Sequence, residues 1–230
     1  MTLKELITEA TATFRAKREE REGRGVPEAD DLKLGNDAMV LDGTVLYADM
    51  RDSTGLVDGF KAFFAAEIYK TYLAGACRII KERGGEVTAF DGDRVMAVFI
   101  GDRKNSSAAK SALQINAFVR ELNKAIKVSY PKTGYVLRQG IGIDTSKLFV
   151  ARTGIRKFND LVWVGRAANY AAKLCTQADY TYPTYITNDV FTKLSKEAKF
   201  SGSDGRSMWE RSNWDDLGVV VHRSSWWWEF

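Results

Sequence analysis

The order of apolar patterns along the chain is the feature that most restricts its fold. A buried-strand pattern, GTVLYADM (43–50), precedes a long helical pattern that ends at a Gly-Gly pair. Two short strand patterns follow, EVTAF (86–90) and RVMAVFI (94–100), and then a second long helical pattern over 104–126. With one more strand the order becomes β-α-β-β-α-β, which is typical of a ferredoxin-like α+β fold. We therefore predict a central, mostly antiparallel sheet flanked by helices.

Further segments extend this unit at both ends. Residues 1–24 show an amphipathic helical pattern, often a dimer element, and a polar, Gly-bearing linker follows. We therefore divide the chain into a helix and linker, 1–42, and a main domain, 43–230. In the main domain we predict a hairpin formed by 135–144 and 147–152, a strand over 160–165, a helix over 166–178, a short strand over 184–188, and terminal strands from 207 onward.

Composition excludes several classes of protein. The chain has 230 residues and a net charge of +4, with basic residues mixed among acidic ones, which argues against nucleic-acid binding. No apolar run has the length of a membrane span or resembles a signal peptide, so we expect a cytoplasmic protein with no membrane contact. Cys77 and Cys175 lie in apolar helical patterns and are predicted to be reduced core residues. The only histidine, His222, is predicted to lie at the surface, so we expect no histidine base.

Two aspartates stand at the ends of predicted strands. The hairpin turn Asp91-Gly92-Asp93 carries one more carboxylate than a turn needs, and Asp49 ends the strand GTVLYADM. In a β-α-β-β order the first strand and the hairpin are often neighbours, so Asp49 and Asp93 are expected to converge. Two carboxylates that close repel each other unless a cation lies between them, and oxygen ligands favour Mg²⁺ or Mn²⁺. The alternative is that both residues are solvated caps.

Two further polar groups suit a nucleotide. Ser53 and Thr54 offer hydroxyl and backbone N–H groups where a loop enters a helix, an arrangement that binds phosphate. Asn169 and Lys173 are four residues apart in an Ala-rich helix and therefore share one face. They can hold a ribose and a charged phosphoryl group, although, taken alone, such a pair is more often a solvated polar face.

Together these motifs resemble those of the class III nucleotidyl cyclases. The resemblance runs from about Gly43 to Ala178. It rests on VLYADMRDST, GGEVTAFDGDRVMAVF, GIGIDTSKLFVARTG and VWVGRAANYAAKL, which follow one another in the family's order.

The resemblance implies a mechanism and a partner. It places two Mg²⁺ or Mn²⁺ ions per active site on Asp49, Asp93 and the Met50 carbonyl, with Asn169 and Lys173 as catalytic residues. The substrate is a nucleoside triphosphate, which becomes the 3′,5′-cyclic monophosphate and pyrophosphate. The resemblance also implies a homodimer in which each active site is shared by both chains. Lys173 stands where the family has Arg, so a bidentate fork is replaced by a point charge.

The positions that read a purine in this family correspond to two apolar residues, Ala89 and Val162. A narrower resemblance is to the pyrimidine cyclases of bacterial Pycsar anti-phage defence. It implies cyclic UMP as product and a separate cyclic-nucleotide effector; cyclic CMP, or an adenylate or guanylate cyclase, remains an alternative. The bulky side chains of Tyr47, Phe90 and Trp163 are expected to narrow the pocket, and Arg51 or a backbone N–H is a candidate donor to uracil O4. The predicted substrate contacts are Tyr47, Arg51, Asp52, Ser53, Thr54, Ala89, Phe90 and Val162.

Other functions fit the same strand order. A diguanylate cyclase or polymerase palm also places an acid pair on such a sheet, but the first has a Gly-Gly-Asp/Glu-Glu-Phe turn where this chain has DGDR. An RNA-recognition module needs paired aromatic residues on a strand, and VMAVF supplies only Phe99. A non-catalytic nucleotide sensor stays open, because Lys173 replaces the family's Arg.

Overall fold

The computed structural model describes all 230 residues of the chain. Its strands are β1 (Glu19–Glu22), β2 (Asp37–Met50), β3 (Glu86–Asp91), β4 (Arg94–Phe99), β5 (Gln139–Ile155), β6 (Phe158–Val164), β7 (Thr184–Thr187), β8 (Glu210–Trp214) and β9 (Val219–Ser224). Its α-helices are α1 (Leu3–Arg15), α2 (Ser53–Gly59), α3 (Ala62–Glu82), α4 (Lys104–Ser129), α5 (Arg166–Gln177), α6 (Asn188–Thr192) and α7 (Lys196–Lys199). Two 3₁₀-helices cover Ala29–Asp31 and Asp215–Leu217. None of the helices has the length and apolar composition needed to cross a membrane.

Strands β2, β3, β4 and β5 form the predicted ferredoxin-like unit. They lie in the order β3-β4-β2-β5, and each neighbouring pair is antiparallel. The sheet continues through β7, which is parallel to β5, and then through β9 and β8. Strand β1 pairs with β2, and β6 pairs with β5. The prediction of an α+β fold with a central, mostly antiparallel sheet and a C-terminal strand extension is confirmed.

The two faces of the sheet are covered by different helices. Successive residues of a strand point to opposite faces. Leu46, Ala48 and Met50 of β2 therefore pack into the main core with α3 and α4, whereas Val45 and Tyr47 pack on the other face with α5. The end of β2 consequently lies beside both layers of helices.

Two glycines let helix α5 lie directly on strand β5. A Cβ atom on Gly142 would lie 2.1 Å from the Ala171 carbonyl oxygen and 2.3 Å from the Cys175 nitrogen. A Cβ atom on Gly140 would lie 2.6 Å from the Cys175 carbonyl oxygen. No residue with a side chain fits at either position without moving the helix. The alanines of α5 complete this close contact, because Ala167, Ala168 and Ala171 are all buried.

The N-terminal region differs from the sequence prediction. The helix predicted over 1–24 ends at Arg15, where the Asn36 amide donates to the Thr13 and Ala16 carbonyls. Residues Glu19–Glu22 instead form β1, parallel to β2, a pairing that depends on residues distant in sequence. Strand β2 begins at Asp37, inside the segment predicted as linker. The division of the chain at residue 42 stays a prediction, although β2 runs across that position.

The hairpin predicted over 135–152 is wrong. Residues Gln139–Ile155 form one strand, which pairs with β2 from Gln139 to Ala151. Asp144 and Thr145 look like turn residues in the sequence, but both are buried in mid-strand. The Asp144 carboxylate accepts from Thr187 and Arg166, and Thr145 accepts a hydrogen bond from Thr44. Their polar groups are therefore satisfied inside the fold.

Three smaller predictions also change. The helix predicted over 58–83 begins only at Ala62, as α3, and a separate short helix, α2, precedes it. His222, predicted at the surface, is 6% exposed, and its ring stacks on Phe191 with centroids 3.7 Å apart. The three tryptophans at 226–228 follow the last strand, and Trp226 and Trp228 pack against the main core. The cysteines are free thiols, as predicted, with Cys175 buried and Cys77 half-buried.

Candidate active site

Asp49 and Asp93 lie at the same end of the sheet. Strand β2 pairs with β4 so that Asp49 is opposite Arg94. Asp93 immediately precedes Arg94 in the turn that joins β3 to β4. Directly opposed residues of an antiparallel pair have Cα atoms about 4.5–5.5 Å apart. The structure therefore brings together the two acids that the sequence predicts to converge.

The surroundings of Asp49 oppose its ionisation. Burial raises the pKa of Asp49, and the charge of Asp93 raises it further, whereas Arg94 and Arg51 lower it. The Oδ2 atom of Asp93 is buried and has no hydrogen-bond partner. A buried carboxylate oxygen is costly unless a cation or a donor satisfies it. The two side chains thus fit a divalent cation, and their hard oxygen atoms match Mg²⁺ or Mn²⁺.

Two tyrosines with buried hydroxyl groups lie near this acid pair, and no sequence motif marks either of them. Tyr72 of α3 is fully buried, and its hydroxyl has no partner. Tyr135, which precedes β5, also has a buried hydroxyl without a partner. Burial is the largest cause of the raised pKa of both phenols, and the charge of Asp93 contributes to both. Both residues belong to apolar patterns, so sequence alone assigns them to the core.

Asp91, the other acid of the turn, has a structural role. Its Oδ2 accepts a hydrogen bond from Arg94 at 2.5 Å, and the residue is exposed. Gly92 between the two acids has a φ of 62°, which favours glycine. Arg94 in turn lies 5.5 Å from the centroid of the Tyr47 ring. The turn therefore needs Asp91 and Gly92 for its shape, and Asp93 is left without a structural partner.

The loop after Asp49 leads into helix α2. Asp52 is the N-cap of α2, in the left-handed conformation with a φ of 56°. Its carboxylate accepts from the Gly55 N–H at 3.3 Å, so Asp52 shapes the loop. Ser53 and Thr54 form the first turn beside it, half-buried and exposed respectively.

Asn169 and Lys173 lie on the outer face of α5. Ala171 and Cys175 contact β5. At 3.6 residues per turn, Lys173 points about 200° away from each of them around the helix axis. Both Asn169 and Lys173 are exposed. Within one chain they are therefore directed away from the sheet that carries Asp49.

The predicted base-contact residues fall on two different faces. Tyr47 and Ala89 pack in one cluster, together with Trp163 of β6. Phe90 and Val162 alternate to the opposite faces of their strands, and both are exposed. Trp163, which the sequence predicts beside Val162 in the pocket, lies opposite Val150, which in turn lies opposite Met39, eight residues before Tyr47 on β2. Within one chain, Trp163 is therefore far along the sheet from Tyr47 and Ala89. Its indole nitrogen is buried and has no partner.

Arg51 is engaged differently from the prediction. Its Nη2 donates to the Cys175 carbonyl oxygen in the last turn of α5. Its backbone N–H donates to the Arg138 carbonyl oxygen at 2.8 Å. The side chain is thus bound to α5 and is not free to read a base.

Comparison with known proteins identifies the family. No family model matches the chain. The uridylate cyclase of Xanthomonas perforans is 52% identical over 227 residues, which cover 97% of this chain and 96% of that protein. The chain belongs to the uridylate cyclase family. It is therefore a nucleotidyl cyclase, an enzyme of the lyase class.

Solved structures of other cyclases share the fold of this uridylate cyclase family member. A bacterial light-regulated adenylyl cyclase aligns with a TM-score of 0.69 at 21% identity, covering 81% of this chain and 91% of that one. The dimeric guanylyl cyclase domain of the RhoGC fusion protein of Blastocladiella emersonii aligns with a TM-score of 0.64 at 12% identity. That alignment covers 81% of this chain and 97% of the domain. At these identities the likeness concerns the class III cyclase fold.

Proposed function

We propose that the protein converts UTP to 3′,5′-cyclic UMP and pyrophosphate. In this reaction the ribose 3′-oxygen loses its proton and forms a bond to the α-phosphorus. The bond from that phosphorus to the bridging oxygen of the β-phosphate breaks, and pyrophosphate leaves. The observation that carries the proposal is the acid pair Asp49 and Asp93, whose buried Asp93 Oδ2 atom has no partner in a chain 52% identical to a uridylate cyclase.

The residues of the chain have separate tasks in this proposal. Asp49, Asp93 and the Met50 carbonyl hold two Mg²⁺ or Mn²⁺ ions, which supply Lewis-acid stabilisation of the triphosphate and lower the pKa of the 3′-hydroxyl. Ser53 and Thr54 contact the phosphates at the start of α2. Asn169 orients the ribose, and Lys173 stabilises the charge that develops on the phosphates.

The apolar surroundings of Tyr47 support a pyrimidine substrate. Recognition of a specific purine needs side chains that form hydrogen bonds with the edge of the base. When the wrong base binds, these buried side chains lose their partners, and this loss is what disfavours that base. Ala89 and Val162 offer no such group. We expect Tyr47, which packs against the same apolar cluster as Ala89, to restrict the pocket to a single ring. The proposed preference for uracil over cytosine rests on the name uridylate cyclase, which the similar proteins carry.

Shared active sites in a homodimer are part of the proposal. Asn169 and Lys173 point away from the sheet that carries Asp49, so a second chain must supply them to the acid pair. In a closed two-fold dimer, the same contact occurs twice and gives two sites. Dimer formation by this fold is supported by a guanylyl cyclase domain that shares it and is described as a non-canonical dimer.

The cellular role follows from the resemblance to Pycsar cyclases. We propose that the product is an anti-phage signal, that the enzyme acts in the cytoplasm without membrane or nucleic-acid contact, and that a separate effector protein binds the cyclic nucleotide. Infection of cells that carry the gene, compared with cells that carry an Asp93→Asn variant, tests this role through phage yield. Equal yields would contradict it.

The product identity is tested by competition. The enzyme is incubated with all four ribonucleoside triphosphates at equal concentration and Mn²⁺, and the products are identified by mass. We expect cyclic UMP as the main product. The Tyr47→Ala variant, with a wider pocket, should raise the share of cyclic purine nucleotides. Cyclic CMP as main product would mean that the enzyme prefers cytosine to uracil. Cyclic AMP or cyclic GMP as main product would refute the proposal that the pocket selects a pyrimidine.

Lys173 should act mainly in the transition state. We expect Lys173→Ala to lower kcat by about 100-fold and to raise KM by less than about threefold, since the lost charge stabilises developing rather than existing charge. Lys173→Arg should retain most of the activity because it keeps the positive charge. Lys124→Ala, which removes an exposed lysine paired with Glu121 on α4, is the control. An unchanged kcat in Lys173→Ala would make Lys173 an ordinary surface residue.

A further inference from the structure

Arg51 joins two parts of the chain that carry different site residues. It lies two residues after Asp49, in the loop that joins β2 to α2. Its Nη2 reaches the Cys175 carbonyl oxygen near the C-terminal end of α5, the helix that carries Asn169 and Lys173. A guanidinium group is favourable there, because the carbonyl end of a helix has partial negative charge. The contact is therefore favourable in both its hydrogen bond and its charge.

The packing around this contact leaves no space for the helix to shift. A Cβ atom on Gly140 would lie 2.5 Å from Arg51 Nη2, and the Cys175 thiol donates to the Gly140 carbonyl at 3.0 Å. Gly140 is also the cross-strand partner of Asp49. Displacement of the loop at Asp49 is thus transmitted through Arg51 to the end of α5, without an intervening mobile side chain.

We propose that Arg51 is a positioning residue that couples the two active sites of the dimer. This inference rests on the proposed sharing of sites between chains. In that arrangement the Asp49 of a chain serves one site, and the Asn169 and Lys173 of the same chain serve the other. Arg51 connects the loop of the first site to the helix of the second. Occupation of one site then alters the geometry of the other, and the effect is reciprocal because coupling between binding sites is a shared free energy.

Mixed dimers separate this coupling from a local role of Arg51. One chain carries Asp49→Ala and the other Asn169→Ala, with different tags so that only mixed dimers are purified. A single complete site remains, which takes its acids from the Asn169→Ala chain and its α5 helix from the Asp49→Ala chain. Arg51→Met is then added to either chain. Methionine retains the apolar stem but removes the donors and the charge.

We expect Arg51→Met to lower kcat at least about 10-fold when it is placed in the Asp49→Ala chain, which gives the working site only its helix. In that placement the Mn²⁺ affinity of the working acids, measured by electron paramagnetic resonance of free Mn²⁺, should stay unchanged. Arg51→Lys in the same chain should restore part of kcat, because it keeps the charge and one donor. The control is Arg83→Met, which removes the hydrogen bond from the Arg83 Nε atom to Gln114 (2.8 Å) and should leave kcat unchanged within twofold.

The results distinguish the failure of each idea. A loss of kcat only when Arg51→Met lies in the Asn169→Ala chain would show that Arg51 acts on its own loop, and would overturn the coupling. Equal losses from Arg51→Met and Arg83→Met would also overturn it, because both would then reflect general destabilisation. No activity in the mixed dimer that retains Arg51 in both chains would instead refute the sharing of sites.

Discussion

The Asp93→Asn variant is expected to lose at least about 1,000-fold in turnover with saturating Mn²⁺, equivalent to about 4 kcal/mol of transition-state stabilisation. The amide removes one of the two carboxylates that hold the cations, and Asp49→Asn should have an effect of the same size. Cyclic nucleotide formation measured by mass gives the turnover. Asp91→Asn is the matched control, since Asp91 lies in the same turn but pairs only with Arg94. It should retain activity within about threefold.

The same Asp93→Asn substitution should stabilise the metal-free protein. The charge of Asp93 raises the pKa of Asp49, so the folded state disfavours the ionised pair. Removal of one charge relieves this repulsion, and the midpoint of thermal unfolding without metal should rise by about 1–3 °C, since 1 kcal/mol corresponds to about 2–4 °C in a chain of this size. Loss of activity together with lower stability would indicate a structural role. Near-normal turnover in Asp93→Asn would exclude Asp93 as a metal ligand.

The parts of the fold that follow from local sequence were predictable. Three consecutive residues determine the turn between β3 and β4. The predicted ends of both strands are therefore within one residue of the observed ends. The convergence of Asp49 and Asp93 followed from the strand order alone. Strand β5 was not predictable in this way. Asp144 breaks its apolar pattern, and the groups that satisfy this carboxylate, Thr187 and Arg166, come from later elements.

In the candidate site, too, features set by nearby residues were predictable and features set by distant residues were not. Asn169 and Lys173 were predictable as a pair on one helix face, because their spacing fixes that face. The contact of Arg51 with α5 was not predictable, because its partner is a backbone carbonyl 124 residues away and no sequence pattern indicates it. Trp163 packs on the face of the sheet that α5 covers, and Val162 is exposed, because of how β6 alternates relative to the sheet. A one-residue change in that alternation exchanges Trp163 for Val162.

A large recovery of turnover is also expected when two inactive variants are combined in one dimer. The Asp49→Ala and Asn169→Ala variants are each expected to be inactive alone. A purified mixed dimer of the two contains one site with both acids and both α5 residues, and should therefore recover about half of the wild-type turnover per dimer. The change from no activity to half activity requires no new contact, because each chain supplies what the other lacks.

The matched control for complementation combines Asp49→Ala with Asp93→Ala. Both substitutions remove acids, so each of the two sites in that mixed dimer lacks one carboxylate whichever way the chains are arranged. This dimer should stay inactive, although it carries the same number of substitutions and assembles by the same surface. Recovery in the control would mean that a single carboxylate suffices for activity. Verified mixed dimers of Asp49→Ala and Asn169→Ala that remain inactive would mean that each chain builds its site alone, which requires α5 to turn its outer face toward its own sheet.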